Sequence, residues 1–167
     1  QVDDALAMAH VHVETWRTTY VGIVPTEHLA TLSYDRCRAG WIEHLSNPES
    51  EVHAFVAEAC PGHIVGIASG GPLREVWDGF DGELYVVYVL KSFQGMGYGR
   101  LLVARAAEDL ASRGYRSLVI WTLKQNPACR FYQRFGGQVA AEKGIEIGGK
   151  ELVDVAYVWR DLAVFGR

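Results

Sequence analysis

Two runs with no polar face, ELYVVYVL at 83–90 and SLVIWTL at 117–123, flank a stretch of helical length, and nothing else in the chain restricts its fold as much. A strand that is apolar on both faces has to be covered on both, which places it inside a sheet. A strand–helix–strand connection of this length brings its two strands side by side and parallel. The junction between the first run and the helix is FQGMGYGRLLV at 93–103, where Gly95, Gly97 and Gly99 take every second position. Glycine weakens strands and helices alike, so this segment requires a bare backbone.

Known glycine loops narrow what it could hold. A Walker loop needs Gly-Lys followed by Ser or Thr, and the chain has none. A dinucleotide fingerprint fits Gly95 and Gly97 but meets Arg100 at its third glycine. There remains Gln94-x-x-Gly97-x-Gly99, which follows a central strand and opens a helix. Such a turn aims successive N–H groups into a concavity and adds the positive end of the helix dipole, which suits an anion. A tight turn that binds nothing fits the same pattern, and glycine alone does not separate the two. The pair Gly136 and Gly137 reads as a helix stop.

The rest of the chain reads as ααββ before this unit and αββ after it. Residues 3–20 carry Leu6, Ala9, Val13, Trp16 and Tyr20 at three- and four-residue steps behind Asp3 or Asp4. VGIVP breaks that helix. A second starts at Ser33, with Cys37, Trp41 and Leu45 on one face, and ends at Asn47-Pro48. Strands at 51–58 and 63–70 form a hairpin across ACPG, and 70–82 is a loop with two exposed-looking aromatics, Trp77 and Phe80. The helix after the glycine loop turns Leu102, Ala106 and Leu110 inward and stops at Gly114. PACRFYQRF is a short helix, and strands at 138–146 and 151–159 close around IGGK. The expectation is a single α/β domain over 1–167, a mixed sheet with helices on its faces.

Composition removes several functions. A formal charge of −4 with no basic stripe argues against a nucleic-acid partner. No run approaches the roughly 18 apolar residues of a membrane span, and no signal peptide is visible. Cys37, Cys60 and Cys129 are far apart, which suits reduced thiols in the cytoplasm better than disulfides or zinc. The histidines form no ligand set, so no metal is implied.

ELYVVYVLKSFQGMGYGRLLV resembles the strand, pyrophosphate loop and helix of the GCN5-related N-acetyltransferase (GNAT) family, which uses acetyl-coenzyme A. NPACRFYQRFGG is similar to the family's second signature, and HVHVETWRTTYVGIVP resembles a bacterial branch of small-molecule type. Element order agrees along most of the chain. Two departures stand out: the family's first strand is not seen ahead of the first helix, and Lys91-Ser92 replace a common proline.

The resemblance implies a GNAT acyl-CoA acyltransferase fold, in which two parallel strands splay and the pantetheine arm lies between them like an added strand. Val87, Tyr88 and Val89 would be its backbone partners, and Val89 N–H a donor to the oxyanion. Gln94, Gly95, Met96, Gly97, Tyr98, Gly99 and Arg100 would surround the pyrophosphate. Asn126 would bond the pantetheine or order the following helix. Tyr132 would protonate the leaving thiolate, its ordinary pKa near 10 lying above the roughly 8.5 of a thiol. Glu83 is spaced like the family's catalytic base, with ordered water as the alternative. Cys129 has no evident activating base, so the acetyl group would pass directly to the acceptor in a ternary complex.

Residues 14–34 and the 70–82 loop would select that acceptor. Glu14, Trp16, Tyr20, Trp77, Asp78, Phe80 and Asp81 gather aromatics and carboxylates, which attract a cation. The implied function is acetyl transfer from acetyl-CoA to a primary amine, a small cationic one ahead of a protein lysine or N-terminus. A non-catalytic acyl-CoA-binding module is the alternative, and the presence of both Glu83 and Tyr132 favours the enzyme. A homodimer is left open.

Overall fold

The two apolar runs lie side by side at the centre of a six-stranded sheet in the computed structural model, which describes residues 1–166. The strands are β1 (His53–Cys60), β2 (His63–Pro72), β3 (Gly82–Val89), β4 (Leu118–Leu123), β5 (Gln138–Ile147) and β6 (Lys150–Trp159). Their order across the sheet is β1-β2-β3-β4-β6-β5, and only β3 and β4 are parallel. Helices α1 (Ala5–Thr19), α2 (Thr26–Ala30) and α3 (Tyr34–Ser46) precede the sheet, α4 (Tyr98–Ser112) joins β3 to β4, and α5 (Cys129–Arg134) follows β4. Among the described residues no helix is long and apolar enough to cross a membrane.

Alternation along β4 divides the core. Leu118 and Ile120 pack with Val103, Ala106 and Leu110 of α4 and with Tyr132, while Val119 packs on the other face with Ala156 and Val158. On that second face Ala5, Met8, Ala9 and Val11 of α1 meet Trp41 of α3 and Ile64 and Ile67 of β2. The inward stripe of α1 therefore differs from the expected one, and Leu6 is exposed. Squeezed between α3 and the sheet, the helix buries a wider arc than a single stripe. Helix α2 was not anticipated, whereas Ser33 caps α3 as expected, its Oγ accepting from Arg36 N at 3.3 Å. Trp77 and Phe80 are not free: they pack on the β4 face, with the Trp77 and Trp121 rings 5.8 Å apart. Gly148 and Gly149, at φ 59° and 78°, form the tight turn between β5 and β6.

One irregularity positions everything that follows. Ser69 pairs with Val86 and Gly70 with Leu84, so Tyr85 is an extra residue, a bulge in β3. A bulge bends its strand and increases the twist. It also reverses the alternation of side chains: Leu84 joins the α4 core, whereas Val86 and Tyr88 join the α1 core. Pairing of β3 with β4 runs from Gly82 to Leu84 and ends there. Beyond the bulge the two strands diverge.

Candidate active site

The glycine loop caps α4. Gly95 and Gly97 sit at φ +79° and +95°, the left-handed region that side chains disfavour. Gly99 is under neither constraint: a Cβ there would make ordinary contacts, 3.7 Å from the Phe131 ring and 4.0 Å from Val89. The first helical bond runs from Leu101 N to Gly97 O at 3.1 Å, so the N–H groups of Gly97, Tyr98, Gly99 and Arg100 have no acceptor among the described residues. A Cβ added at Gly95 or Gly97 would meet nothing within 4 Å, so the concavity is open in front of them. These features fit a pyrophosphate. Gln94 instead turns back, its Nε2 donating to Val89 O at 3.0 Å and tying the loop to the strand end. Arg100 lies over the Phe135 ring.

The divergence of β3 and β4 leaves a gap whose backbone chemistry follows from the β2–β3 ladder. Leu90 N bonds Val65 O at 2.9 Å in the same register that pairs Ile67 with Tyr88. Hydrogen-bonded positions alternate in an antiparallel ladder, so Tyr88 directs its N–H and C=O toward β2. Val87 and Val89 direct theirs into the gap. Tyr88 thus reaches the site through its side chain, not through the backbone the sequence reading assigned to it.

Three phenols approach this end of the sheet: Tyr132 from the α4 core, Tyr88 from the α1 core, and Tyr20 bonded to Asn126 just beyond β4. Tyr132, on α5, is buried, and burial raises its pKa, with smaller contributions from Tyr88 and Cys129. Its hydroxyl has no hydrogen bond to the described residues. Burial also pushes Tyr88 up to about 12, and its hydroxyl accepts from Trp16 Nε1 at 2.9 Å. Tyr20 is likewise raised by burial and then by Tyr88 and Tyr132, and it accepts from Asn126 Nδ2 at 3.0 Å. His12 stands edge-on to Tyr88, and burial lowers its pKa to about 4. Trp16 and Tyr20 therefore frame the gap instead of lining an open substrate surface. Asn126 is fully engaged: Nδ2 also donates to Thr122 Oγ1 at 2.9 Å, and Oδ1 accepts from Ala128 N at 2.9 Å, which orders the start of α5. Burial raises the Cys129 thiol, which keeps it protonated.

The acidic residues divide into engaged and free. Glu83 is 2% exposed, and both carboxylate oxygens accept from Arg74, one from its backbone N at 3.0 Å and the other from its guanidinium at 2.8 Å from Nε. Asp81 accepts from the backbone of Arg116 and Ser117 and from Ser117 Oγ at 2.7 Å, at the end of the sheet away from the glycine loop. Glu14 pairs with Tyr34 and Arg17. Asp78 is exposed in the 72–82 connection. None of these four is a free carboxylate at the gap.

Asp154 is such a carboxylate, and the sequence reading did not single it out. It stands opposite Leu123, the last residue of β4, and contributes to the wall of a cavity of about 330 Å³ lined also by Leu73, Arg74, Trp77, Glu83 and Trp121. Burial raises its pKa, opposed by Lys143 and Arg74, and it has no hydrogen bond or ion pair among the described residues. Its charge reaches the Tyr88 phenol. The signal was a lone acid within the apolar run LVDVAYVW.

Comparison with known proteins agrees with this fold. Residues 10–137 match the model of the acetyltransferase (GNAT) family. YuaI, an uncharacterized N-acetyltransferase of Bacillus subtilis (strain 168), is 39% identical over 163 residues, 98% of this chain and 91% of that protein. A crystal structure from Desulfovibrio desulfuricans, assigned to the GNAT family, superposes with a TM-score of 0.72 at 26% identity, covering 97% of this chain and 96% of that one. The structure of yncA from Salmonella typhimurium, solved with its cofactor acetyl-CoA, shares the fold, with a TM-score of 0.70 at 23% identity over 97% and 90% of the two chains.

Proposed function

The chain belongs to the GNAT family of acetyltransferases, and on that premise we propose that it moves the acetyl group of acetyl-CoA to a primary amine, a small cationic one, by direct attack in a ternary complex. The observation that carries this reading is a coincidence in space. The start of α4, with four N–H groups unbonded among the described residues, meets the end of β3 and the helix that bears Tyr132: a Cβ at Gly99 would lie 4.0 Å from Val89 and 3.7 Å from Phe131.

Bound acetyl-CoA supplies an activated thioester, and the residues of the chain do the rest. The N–H groups of Gly97 to Arg100 hold the pyrophosphate, with the helix dipole behind them. Val87 pairs with the pantetheine arm. Val89 N–H, aimed into the gap, donates to the carbonyl oxygen as it gains charge; one such donor is typically worth about 3 kcal/mol. Tyr132 donates to the sulfur as the C–S bond breaks. Burial keeps its phenol protonated throughout the working pH range, so the donor is always present. Asn126 and Tyr20 position α5 and hence Tyr132. Glu83, committed to Arg74, fastens the segment after β2 to the start of β3 and leaves the amine's proton to another group.

Replacing Tyr132 with Phe tests this. It should lower kcat by roughly 10²-fold with coenzyme A affinity nearly unchanged, measured by thiol release and calorimetry. A Tyr132→Phe enzyme with wild-type kcat would remove the phenol from the chemistry.

A further inference from the structure

Resting on the acetyl-transfer reading, we propose that the cavity beside Asp154 is the acceptor site, and that Asp154 binds the amine as its ammonium and takes its proton. The acceptor is a monocationic primary amine carrying a flat apolar group.

The charges around the cavity set this assignment. Arg74 is neutralised by Glu83. Lys143 lies directly across the β5–β6 pair from Asp154, yet its Nζ turns away to Glu75 at 3.1 Å and sits 4.3 Å over the Trp121 ring. With both cations paired elsewhere, Asp154 is left without an ion pair among the described residues, although it feels Lys143 and Arg74. The remaining walls are apolar or aromatic: Leu73, Trp77, Trp121 and Ile145. The one carboxylate outside an ion pair attracts one ammonium, and the apolar and aromatic walls, with Lys143 already over Trp121, accept a flat apolar body. A polyamine would leave its other charges against these walls. The volume lies at the low end for a ligand pocket, which also favours a compact molecule.

Position links the cavity to the gap. Asp154 stands opposite Leu123, the last residue of β4, beyond the β3–β4 pairing that ends at Ile120, and its charge is felt by Tyr88. The proton balance is simple. Asp154 accepts one proton from the ammonium, and the freed lone pair forms the N–C bond while the carbonyl pair moves onto oxygen beneath Val89 N–H. As the carbonyl re-forms, the C–S bond breaks and sulfur takes the Tyr132 proton. The nitrogen gives up a second proton, which returns through water to Tyr132, and Asp154 releases its own to solvent. A carboxylate whose pKa burial has raised is a better base than an exposed one.

The test uses the full chain with acetyl-CoA and three probes: 2-phenylethylamine, spermidine, and a short lysine peptide. The highest kcat/KM should belong to 2-phenylethylamine. Its kcat/KM should fall at acidic pH, as Asp154 becomes protonated in the company of Lys143, Arg74, Glu75, Glu83 and Tyr88. Asp154→Asn should lower kcat/KM by roughly 10²-fold and abolish that acidic limb, with coenzyme A affinity retained as the check on folding. Asp154→Glu should recover part of the rate. Preference for spermidine or the peptide overturns the acceptor class. A wild-type rate and acidic limb in Asp154→Asn overturn the role of Asp154. Wild-type protein that binds no coenzyme A defeats the acetyl-transfer reading beneath both.

Discussion

From 82 to 84, β3 is bonded to β4 on one side and β2 on the other, and from 86 to 89 it is bonded to β2 alone. The first half is closed. The Ser117 carbonyl lies 2.8 Å from where a Cβ of Gly82 would stand, and every carboxylate oxygen of Asp81 and Glu83 has a donor. The second half is open, with Val87 and Val89 facing a gap and the side-chain oxygens of Tyr132 and Asp154 without hydrogen-bond partners among the described residues. A single bulged residue, Tyr85, separates the two. The difference teaches that ionisable side chains on one side of the bulge are consumed by the fold, while those on the other are left available for the proposed chemistry.

The comparison breaks most visibly at Arg74. Replacing it with Met leaves the buried Glu83 carboxylate without its cation; Arg74 is itself largely exposed, so water offsets part of the loss, which comes to about 3 kcal/mol. For a chain of this size that is a melting temperature lower by roughly 6–12 °C. Coenzyme A affinity should stay the same, because the glycine loop is untouched. A shift of a degree or less by differential scanning calorimetry would show that the closed half is not held by this pair.

Two glycines sharpen the contrast with smaller effects. Gly82→Ala forces a methyl against backbone and should cost about 2 kcal/mol of stability with little change in coenzyme A affinity. Gly97→Ala has free space but an unfavourable φ, a penalty of about 1 kcal/mol, and it should weaken coenzyme A binding about tenfold by crowding the concavity. Melting curves and calorimetry on both variants check the pairing of effects. The opposite pattern would reverse the roles of the two ends.

What the residues revealed in advance follows the same division. The central strand pair was legible because runs apolar on both faces have one place to go, and the glycine loop because left-handed backbone demands glycine. The bulge at Tyr85 was not. In YVVYV every position is apolar or aromatic, so a one-residue slip leaves the pattern unchanged. The missed bulge is why Tyr88 was assigned through its backbone and not its side chain. Carboxylate partners were equally hidden, since Arg74 and Glu83, or Asp81 and Ser117, meet only when the sheet forms. Asp81 and Glu83 looked like candidates for want of that knowledge, and Asp154 was passed over within an apolar strand.

The central claim is that the open half of β3, with the start of α4, holds coenzyme A. Amide-resolved hydrogen exchange by NMR, with and without coenzyme A, tests it most directly. The account predicts that Val87, Val89 and the amides of Gly97 to Arg100 gain protection on binding. Tyr88 should be protected in both states, and 82–84 should not change. Coenzyme A that binds yet leaves Val87 and Val89 exchanging at their free rates, or that protects 82–84 in their place, would contradict it.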